Sequence, residues 1–232
     1  MTPVNELKLV IFDCDGVLVD SEQITNRVFS EMLNELGLSV TLDDMFEKFV
    51  GRSTAYCYDL IGQMLRRPVP ADFMEQCRQR TNAALSIELK AVDGIEYVID
   101  ALSARRVDFC VASNGTHEKM KTTLGITGLL PRFANRLFSV TEVARGKPAP
   151  DVFLHAARQR GAAPSQCHVV EDTPTGVRAG VAAGMRVYGY CAFTPRHRLM
   201  EAGAHVTVDD MRKLPELWFD DVSRQNARQR DG

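Results

Sequence analysis

The sequence lacks long hydrophobic runs: no apolar stretch among its 232 residues approaches the roughly 20 residues that a helix needs to cross a bilayer. Its first residues, MTPVNELK, have neither the basic start nor the apolar core of a secretory signal peptide. Long blocks of basic charge are missing too, and the net charge is -2. We therefore expect no membrane partner, no nucleic-acid partner and a cytoplasmic location.

Paired cysteines are also missing. The six cysteines are far apart in the sequence, and no two of them form a CxxC pair. Cys110 and Cys167 lie within apolar runs, where a cysteine is usually a small buried hydrophobic residue. The cysteines therefore indicate neither a disulfide framework nor a zinc site. With 45% hydrophobic and 25% charged residues, the composition is that of an ordinary globular protein.

Six short apolar runs predict the strands of a sheet. Most of them are nearly continuous rather than alternating, which is typical of strands buried on both faces of a parallel sheet. Helical patterns at 95–105, 151–161 and 175–184 lie between some of these runs. This alternation predicts right-handed βαβ units and an α/β fold with a doubly wound, Rossmann-like parallel sheet. The runs are 7–13, 107–113, 136–139, 167–172, 185–190 and 205–208.

From about residue 21 to residue 91, after the first predicted strand, the sequence contains no convincing strand. Apolar residues in the first part of this interval recur at i, i+4 spacing from Ile24 to Leu36, as on one face of a helix. We therefore predict an all-helical cap at 21–89, inserted into a core formed by residues 1–20 and 90–232. The predicted helices are 21–37, 42–49, 53–66 and 71–87, and the connections are 16–20 and 88–94.

Acidic residues follow the first and fourth predicted strands. In an open α/β sheet, ligands bind outside the carboxyl ends of the strands. Asp13 and Asp15 can address one site there, because residues i and i+2 of a strand point to the same face. Glu171 and Asp172 arrive from the fourth strand, and four carboxylates together repel one another. A hard divalent cation relieves this repulsion, so we predict an Mg²⁺ site formed by these four residues.

Other residues near the strand ends are suited to a phosphoryl group. Ser113, Asn114 and Gly115 follow the second strand, and Lys147 lies in the loop before the helix that leads to the fourth. A hydroxyl group, a fixed positive charge and backbone N–H groups around Asn114 would together bind phosphate oxygens. The predicted chemistry is phosphoryl transfer, in which one carboxylate attacks phosphorus and a second transfers protons.

Four motifs, DCDGVLVDSE, SNG, GKPAPD and EDTPTG, resemble in order those of the haloacid dehalogenase superfamily. The likeness is closest to its phosphatase and β-phosphoglucomutase branch, which has a helical cap after the first strand, and it runs from about residue 7 to residue 220. The resemblance implies that Asp13 is the nucleophile and that Asp15 is the general acid and base, with a backbone carbonyl that helps to bind magnesium. It also implies phosphate binding by Ser113 and Lys147, and metal binding by Asp172 and, directly or through water, Glu171.

A second likeness, in SNG, LFS, YGYCA and LPELW, is to bacterial sugar-acid phosphatases of the 6-phosphogluconate type. The resemblance implies an Mg²⁺-dependent phosphomonoesterase that acts on a small sugar or sugar-acid phosphate through an aspartyl-phosphate. We expect a monomer or a weak homodimer. In the helical interval, VGRST (50–54) resembles the substrate loop of the mutase branch. Arg52 in this loop is either a contact to the distal anionic group of a substrate or a surface arginine.

Two alternative functions stay open. One is a sugar phosphomutase, which Thr25 disfavours because the β-phosphoglucomutases have a histidine at this position. The other is a catalytically silent sensor of phosphorylated metabolites, which the complete set of motif residues disfavours. Dehalogenation fits poorly because the dehalogenases lack the aspartate equivalent to Asp15. Phosphonate hydrolysis also fits poorly, since Lys48 is the only lysine that the interval offers for a Schiff base.

Overall fold

Every strand that the apolar runs predict is present in the structure. The computed structural model describes residues 7–49 and 54–219. Its six strands are all parallel and form one sheet, which confirms the predicted α/β fold class. The strands are β1 (Leu9–Phe12), β2 (Asp108–Ser113), β3 (Leu137–Ser139), β4 (Cys167–Glu171), β5 (Arg186–Tyr190) and β6 (Val206–Val208).

The strand order places the first strand at the centre of the sheet. From one edge to the other the order is β3–β2–β1–β4–β5–β6. The chain therefore builds one half of the sheet outward from β1 and then returns to build the other half from β4. In a doubly wound sheet, the crevice at such a reversal is where ligands bind. The reversal here lies between β1 and β4, the two strands that carry the predicted carboxylates.

Four helices lie among the residues described from 21 to 90, and none of these residues belongs to a strand. These helices match the four predicted ones closely. Within 7–49 and 54–219, every helix is too short or too polar to cross a bilayer. The helices are α1 (Ser21–Glu35), α2 (Leu42–Lys48), α3 (Thr54–Leu65) and α4 (Phe73–Glu88).

The helical segment joins the sheet through two connections that pair with each other. The Asp20 N–H donates to the Lys90 carbonyl at 2.9 Å, and the Val92 N–H donates to the Leu18 carbonyl at 3.0 Å. Between these two hydrogen bonds, Val19 lies opposite Ala91 in an antiparallel bridge. The chain therefore leaves and re-enters the sheet at adjacent positions.

Helices cover both faces of the sheet. Consecutive β1 side chains point to opposite faces, and all four of them are buried, so both faces need a covering layer. Val10 and Phe12 belong to one hydrophobic cluster, and Leu9 and Ile11 belong to the other. The remaining helices are α5 (Ile95–Ala104), α6 (His117–Ile126), α7 (Asp151–Gln159), α8 (Pro174–Ala182) and α9 (Arg196–Glu201). The first cluster includes residues of α5 and α6, and the second includes residues of α7, α8 and α9. Short 3₁₀ helices occur at Leu130–Phe133, Val140–Glu142, Pro164–Gln166 and Met211–Lys213.

Candidate active site

A cleft of about 550 Å³ opens at the carboxyl ends of the central strands. Most of the predicted site residues line it, although they come from four separate parts of the sequence. Asp172 lies beside the cleft and is buried. The predicted cap residue Arg52 lies outside the described residues. The predicted residues that line the cleft are Asp13, Asp15, Ser113, Asn114, Lys147 and Glu171.

Lys147 joins two of the predicted carboxylates. Its Nζ lies 2.5 Å from Asp13 Oδ1 and 2.6 Å from Glu171 Oε1. The Lys147 side chain is only 4% exposed and that of Glu171 only 1%, so water screens these charges poorly. Burial lowers the pKa of Lys147, but the attraction of Asp13 and Glu171 outweighs burial and leaves this pKa above its ordinary value. Lys147 is therefore a fixed positive charge between two carboxylates.

Asp13, Glu171 and Asp172 form a buried acidic cluster. One carboxylate oxygen from each residue lies within 4.8 Å of those from the other two. Burial raises the pKa of Asp13 to about 7, although Lys147 opposes the rise. Burial and the nearby Glu171 charge raise the pKa of Asp172 well above its usual range. These shifts show that the cluster is unfavourable in its charged form without a further cation.

The donor set of this cluster fits a hard divalent cation. Its ligand atoms are all carboxylate oxygens, which Mg²⁺ prefers to nitrogen or sulfur. Asp172 Oδ1 is buried and has no hydrogen-bond partner among the described residues. An unpartnered buried carboxylate oxygen is costly unless a ligand or a proton compensates it. The residues present can therefore hold a metal ion.

Two glycines allow the carboxylates to approach the backbone closely. Gly16 has a left-handed φ of +76°, and a Cβ atom there would overlap the Asp172 carboxylate. A Cβ atom at Gly176, in the first turn of α8, would overlap the Glu171 carboxylate. The Thr173 N–H and hydroxyl both donate to Glu171 Oε2, at 3.2 and 3.0 Å. The turn that begins α8 therefore fixes Glu171 in place.

We expect Gly176→Ala to weaken Mg²⁺ binding by about 10–100-fold. This range is typical of mutations in residues that hold a metal ligand in position. The added methyl group would displace the Glu171 carboxylate that it overlaps. Isothermal titration calorimetry with Mg²⁺ measures the effect. Gly125→Ala on α6 is the matched control, because a Cβ atom there meets only the Leu130 side chain, at 4.0 Å. Equal Mg²⁺ affinities in the two variants would show that Glu171 is not a ligand.

Asp15 is held at the cleft wall through both carboxylate oxygens. Ser21 Oγ donates to Oδ1 at 3.1 Å, and Lys119 Nζ donates to Oδ2 at 2.7 Å. The sequence did not identify either partner. Thr116 Oγ1 accepts the Lys119 N–H at 3.2 Å as the N-cap of α6. A helix start predicted at Thr116 would have placed Lys119 in the first turn, next to the phosphate-binding motif.

Ser113 and Asn114 have different environments. Ser113 is buried, and its Oγ accepts the Gly115 N–H at 3.0 Å. The Asn114 side chain binds the backbone of Lys147: Oδ1 accepts the Lys147 N–H at 2.9 Å, and Nδ2 donates to the Lys147 carbonyl at 3.4 Å. The Asn114 side chain therefore supports the loop that carries Lys147. Phosphate binding by the backbone N–H groups at this position stays a prediction.

The comparisons with known sequences cover nearly the whole chain. The profile of the haloacid dehalogenase-like hydrolase family matches residues 10–190. The 6-phosphogluconate phosphatase of Escherichia coli K12 is 31% identical over 216 residues, which cover 93% of this chain and 96% of that protein. This relative is of the phosphatase type that the SNG, LFS, YGYCA and LPELW segments resemble.

Two solved structures have the same fold as this chain and are at least 30% identical to it in sequence. A conserved haloacid dehalogenase-like protein from Agrobacterium tumefaciens has a TM-score of 0.84 and 35% identity, and the match covers 91% of this chain and 97% of that one. A hydrolase of the same family from Deinococcus radiodurans, solved with bound phosphate and sodium, has a TM-score of 0.82 and 30% identity, with coverage of 92% and 95%. These matches confirm the resemblance that the four motifs indicate. The chain belongs to the haloacid dehalogenase-like hydrolase family.

Proposed function

We propose that this hydrolase is an Mg²⁺-dependent phosphomonoesterase that acts on a sugar phosphate or sugar-acid phosphate through an aspartyl-phosphate on Asp13. Family membership and the relative named 6-phosphogluconate phosphatase support the hydrolysis of small phosphorylated metabolites. The observation that carries the proposal is the contact of Lys147 with both Asp13 and Glu171, beside the buried Asp172. This arrangement supports the proposal, because a phosphoryl-transfer site of this kind needs a shielded nucleophile, a fixed cation and metal ligands close together.

Asp13 is the proposed nucleophile. One of its carboxylate oxygens attacks phosphorus, and the bond from phosphorus to the ester oxygen of the leaving group breaks. Lys147 Nζ, 2.5 Å from Asp13 Oδ1, orients this carboxylate. The Ser113 hydroxyl and the backbone N–H groups around Asn114 are the proposed donors to the phosphoryl oxygens. Catalysis of this kind depends mainly on positioning and on charge neutralisation.

Asp15 is the proposed general acid and base. It gives a proton to the leaving oxygen in the first step and takes a proton from water in the second. In that second step the water attacks phosphorus, and the bond from phosphorus to the Asp13 oxygen breaks and releases inorganic phosphate. Its contacts with Ser21 and Lys119 fix the carboxylate at the cleft wall. Because Asp13 is two residues away in the sequence, the same loop positions both groups.

The side chains of Asp13, Glu171 and Asp172, with the backbone carbonyl of Asp15, would hold Mg²⁺. When bound, the ion supplies positive charge that offsets the repulsion between the phosphoryl group and these carboxylates. The unpartnered Oδ1 of Asp172 supports this assignment.

The helical segment α1–α4 is the proposed cap, which excludes bulk water and contacts the leaving group. Its first residue, Ser21, hydrogen-bonds to Asp15, so the segment begins at the cleft itself. Domain boundaries at 21–89 fit the paired connections at Leu18–Asp20 and Lys90–Val92. The role of Arg52 as a substrate contact stays a prediction.

Phosphate release from a panel of phosphorylated sugars, sugar acids, polyols, glycolate and nucleotides tests the proposal, with Mg²⁺ and with EDTA. We expect release that requires Mg²⁺ and is fastest with sugar or sugar-acid phosphates. Release that is equally fast in EDTA would contradict the role of the metal. Isomerisation of a sugar phosphate that a sugar bisphosphate stimulates would identify a mutase. Binding of these esters without turnover would identify a sensor.

A further inference from the structure

Two lysines line the described part of the cleft, and they have different surroundings. Lys147 is 4% exposed and is bound to two carboxylates. Lys119 is 50% exposed and is paired with the single carboxylate of Asp15, at 2.7 Å. Among the cleft residues that the structure describes, Lys119 is therefore the cation that an entering ligand can reach. Neither the proposed nucleophilic attack nor the proposed proton transfer uses its charge directly.

Lys119 lies beside the residue that the proposed reaction places at the leaving group. The proposed reaction places the phosphoryl group at Asp13 and Lys147 and the ester oxygen at Asp15. The Lys119 ammonium group is 2.7 Å from Asp15 Oδ2, on the carboxylate that the proposed reaction places beside the ester oxygen. The N-cap hydrogen bond from Lys119 N–H to Thr116 fixes the backbone from which this side chain extends.

The charges on this wall would repel an anionic leaving group if Lys119 were absent. Asp15 is one acidic group, and Glu22 is another: a Cβ atom at Gly16, the residue after Asp15, would lie 3.2 Å from Glu22 Cγ. Asn26 Nδ2 donates to Glu22 Oε2 at 3.3 Å, which holds this carboxylate near the cleft. Among the described residues that line the cleft, Lys119 is thus the cation that can compensate a further negative charge brought by a substrate.

We propose that Lys119 determines specificity by binding the carboxylate of the leaving group, so that sugar-acid phosphates are better substrates than neutral polyol phosphates of equal length. This inference rests on the proposed phosphomonoesterase function. The ammonium group has three donors, and its contact with Asp15 occupies one of them. Lys119 can therefore keep Asp15 in place while it binds a substrate carboxylate.

A matched pair of substrates tests the inference. Gluconate 6-phosphate and glucitol 6-phosphate differ in one group, a carboxylate in place of a CH₂OH group. We expect the wild-type protein to prefer the acid in kcat/KM, and Lys119→Gln to reduce this preference by about 10–100-fold, mainly through KM, as for a lost charge-assisted hydrogen bond. Lys119→Arg should retain the preference. Lys121→Gln, an exposed lysine on the same helix, is the control and should not change it.

Each alternative outcome overturns the inference in a distinguishable way. If Lys119→Gln lowers kcat equally for both substrates, Lys119 only positions Asp15. A wild-type protein that hydrolyses both without preference has no carboxylate recognition at this residue, while its phosphatase function stands. If neither these nor any other ester on the Mg²⁺ panel is hydrolysed, the proposed function itself fails. The inhibition constants of gluconate and glucitol as competitive inhibitors report the same contact without catalysis. Circular dichroism confirms that each variant is folded.

Discussion

Asp13→Asn is expected to lower kcat by on the order of 10⁴-fold or more, as for the loss of a catalytic nucleophile. Asparagine has nearly the same shape as aspartate, but its amide does not attack phosphorus. The contact between Lys147 and Glu171 is independent of this change, so the loop that carries Lys147 keeps one of its two carboxylate partners. Phosphate release at saturating Mg²⁺, with the substrate that ranks first on the panel, measures the loss.

Two controls separate chemistry from folding in this experiment. Asp100→Asn makes the same chemical change at an exposed aspartate of α5, away from the cleft, and should leave kcat unchanged. The unfolding temperature of Asp13→Asn should not fall, because the variant removes a charge from a buried acidic cluster. Retention of more than a few per cent of wild-type activity would show that another residue is the nucleophile.

Lys147→Met is expected to impair both catalysis and stability. Methionine fills similar space but leaves Asp13 and Glu171 buried without their shared cation. Loss of one partner of a buried ion pair typically costs about 3–5 kcal/mol of unfolding free energy. Loss of a preorganised charge at a reacting group typically lowers kcat by about 10²–10³-fold. Chemical denaturation in EDTA measures the first effect, and phosphate release with Mg²⁺ measures the second.

Lys213→Met is the matched control for stability. Lys213 also pairs with an aspartate, Asp209, but both side chains are more than half exposed. Exposed ion pairs contribute little to stability because water and salt screen them. If Lys147→Met is as stable as Lys213→Met, then a shared proton between Asp13 and Glu171 replaces the lysine. In that case the expected loss of stability is wrong, and Lys147 is needed for the charged form of the nucleophile rather than for folding.

The fold could be predicted because the buried strands have simple local patterns. β1 has four consecutive buried residues, LVIF, and the structure shows that its alternate side chains enter two different cores. A strand of this kind requires apolar residues at every position, and such runs are visible in the sequence. The ends of the runs also located Asp13 and Glu171, since these residues directly follow or complete a strand. Their proximity then follows from the parallel sheet.

The contacts of Lys119 and of the Asn114 side chain could not be predicted in this way. Lys119 reaches Asp15 across 104 positions in the sequence, and this contact depends on how α6 is rotated against the sheet. Asn114 binds the Lys147 backbone 33 residues away, which depends on the conformation of a loop without regular structure. Packing of distant segments decides both contacts, and no local pattern encodes it. The metal, the catalytic roles and the cap boundaries stay predictions.

The paired connections between the sheet and the helical segment make that segment an exchangeable module. Because Asp20 and Lys90 are hydrogen-bonded neighbours, an insert of different length or shape can begin and end there without separating β1 from β2. Insertions are tolerated best where few backbone contacts must change. Evolution can therefore replace the helical segment while it preserves the sheet and the residues at the carboxyl ends of its strands. Protein engineers can use the same two residues as graft points for a different segment.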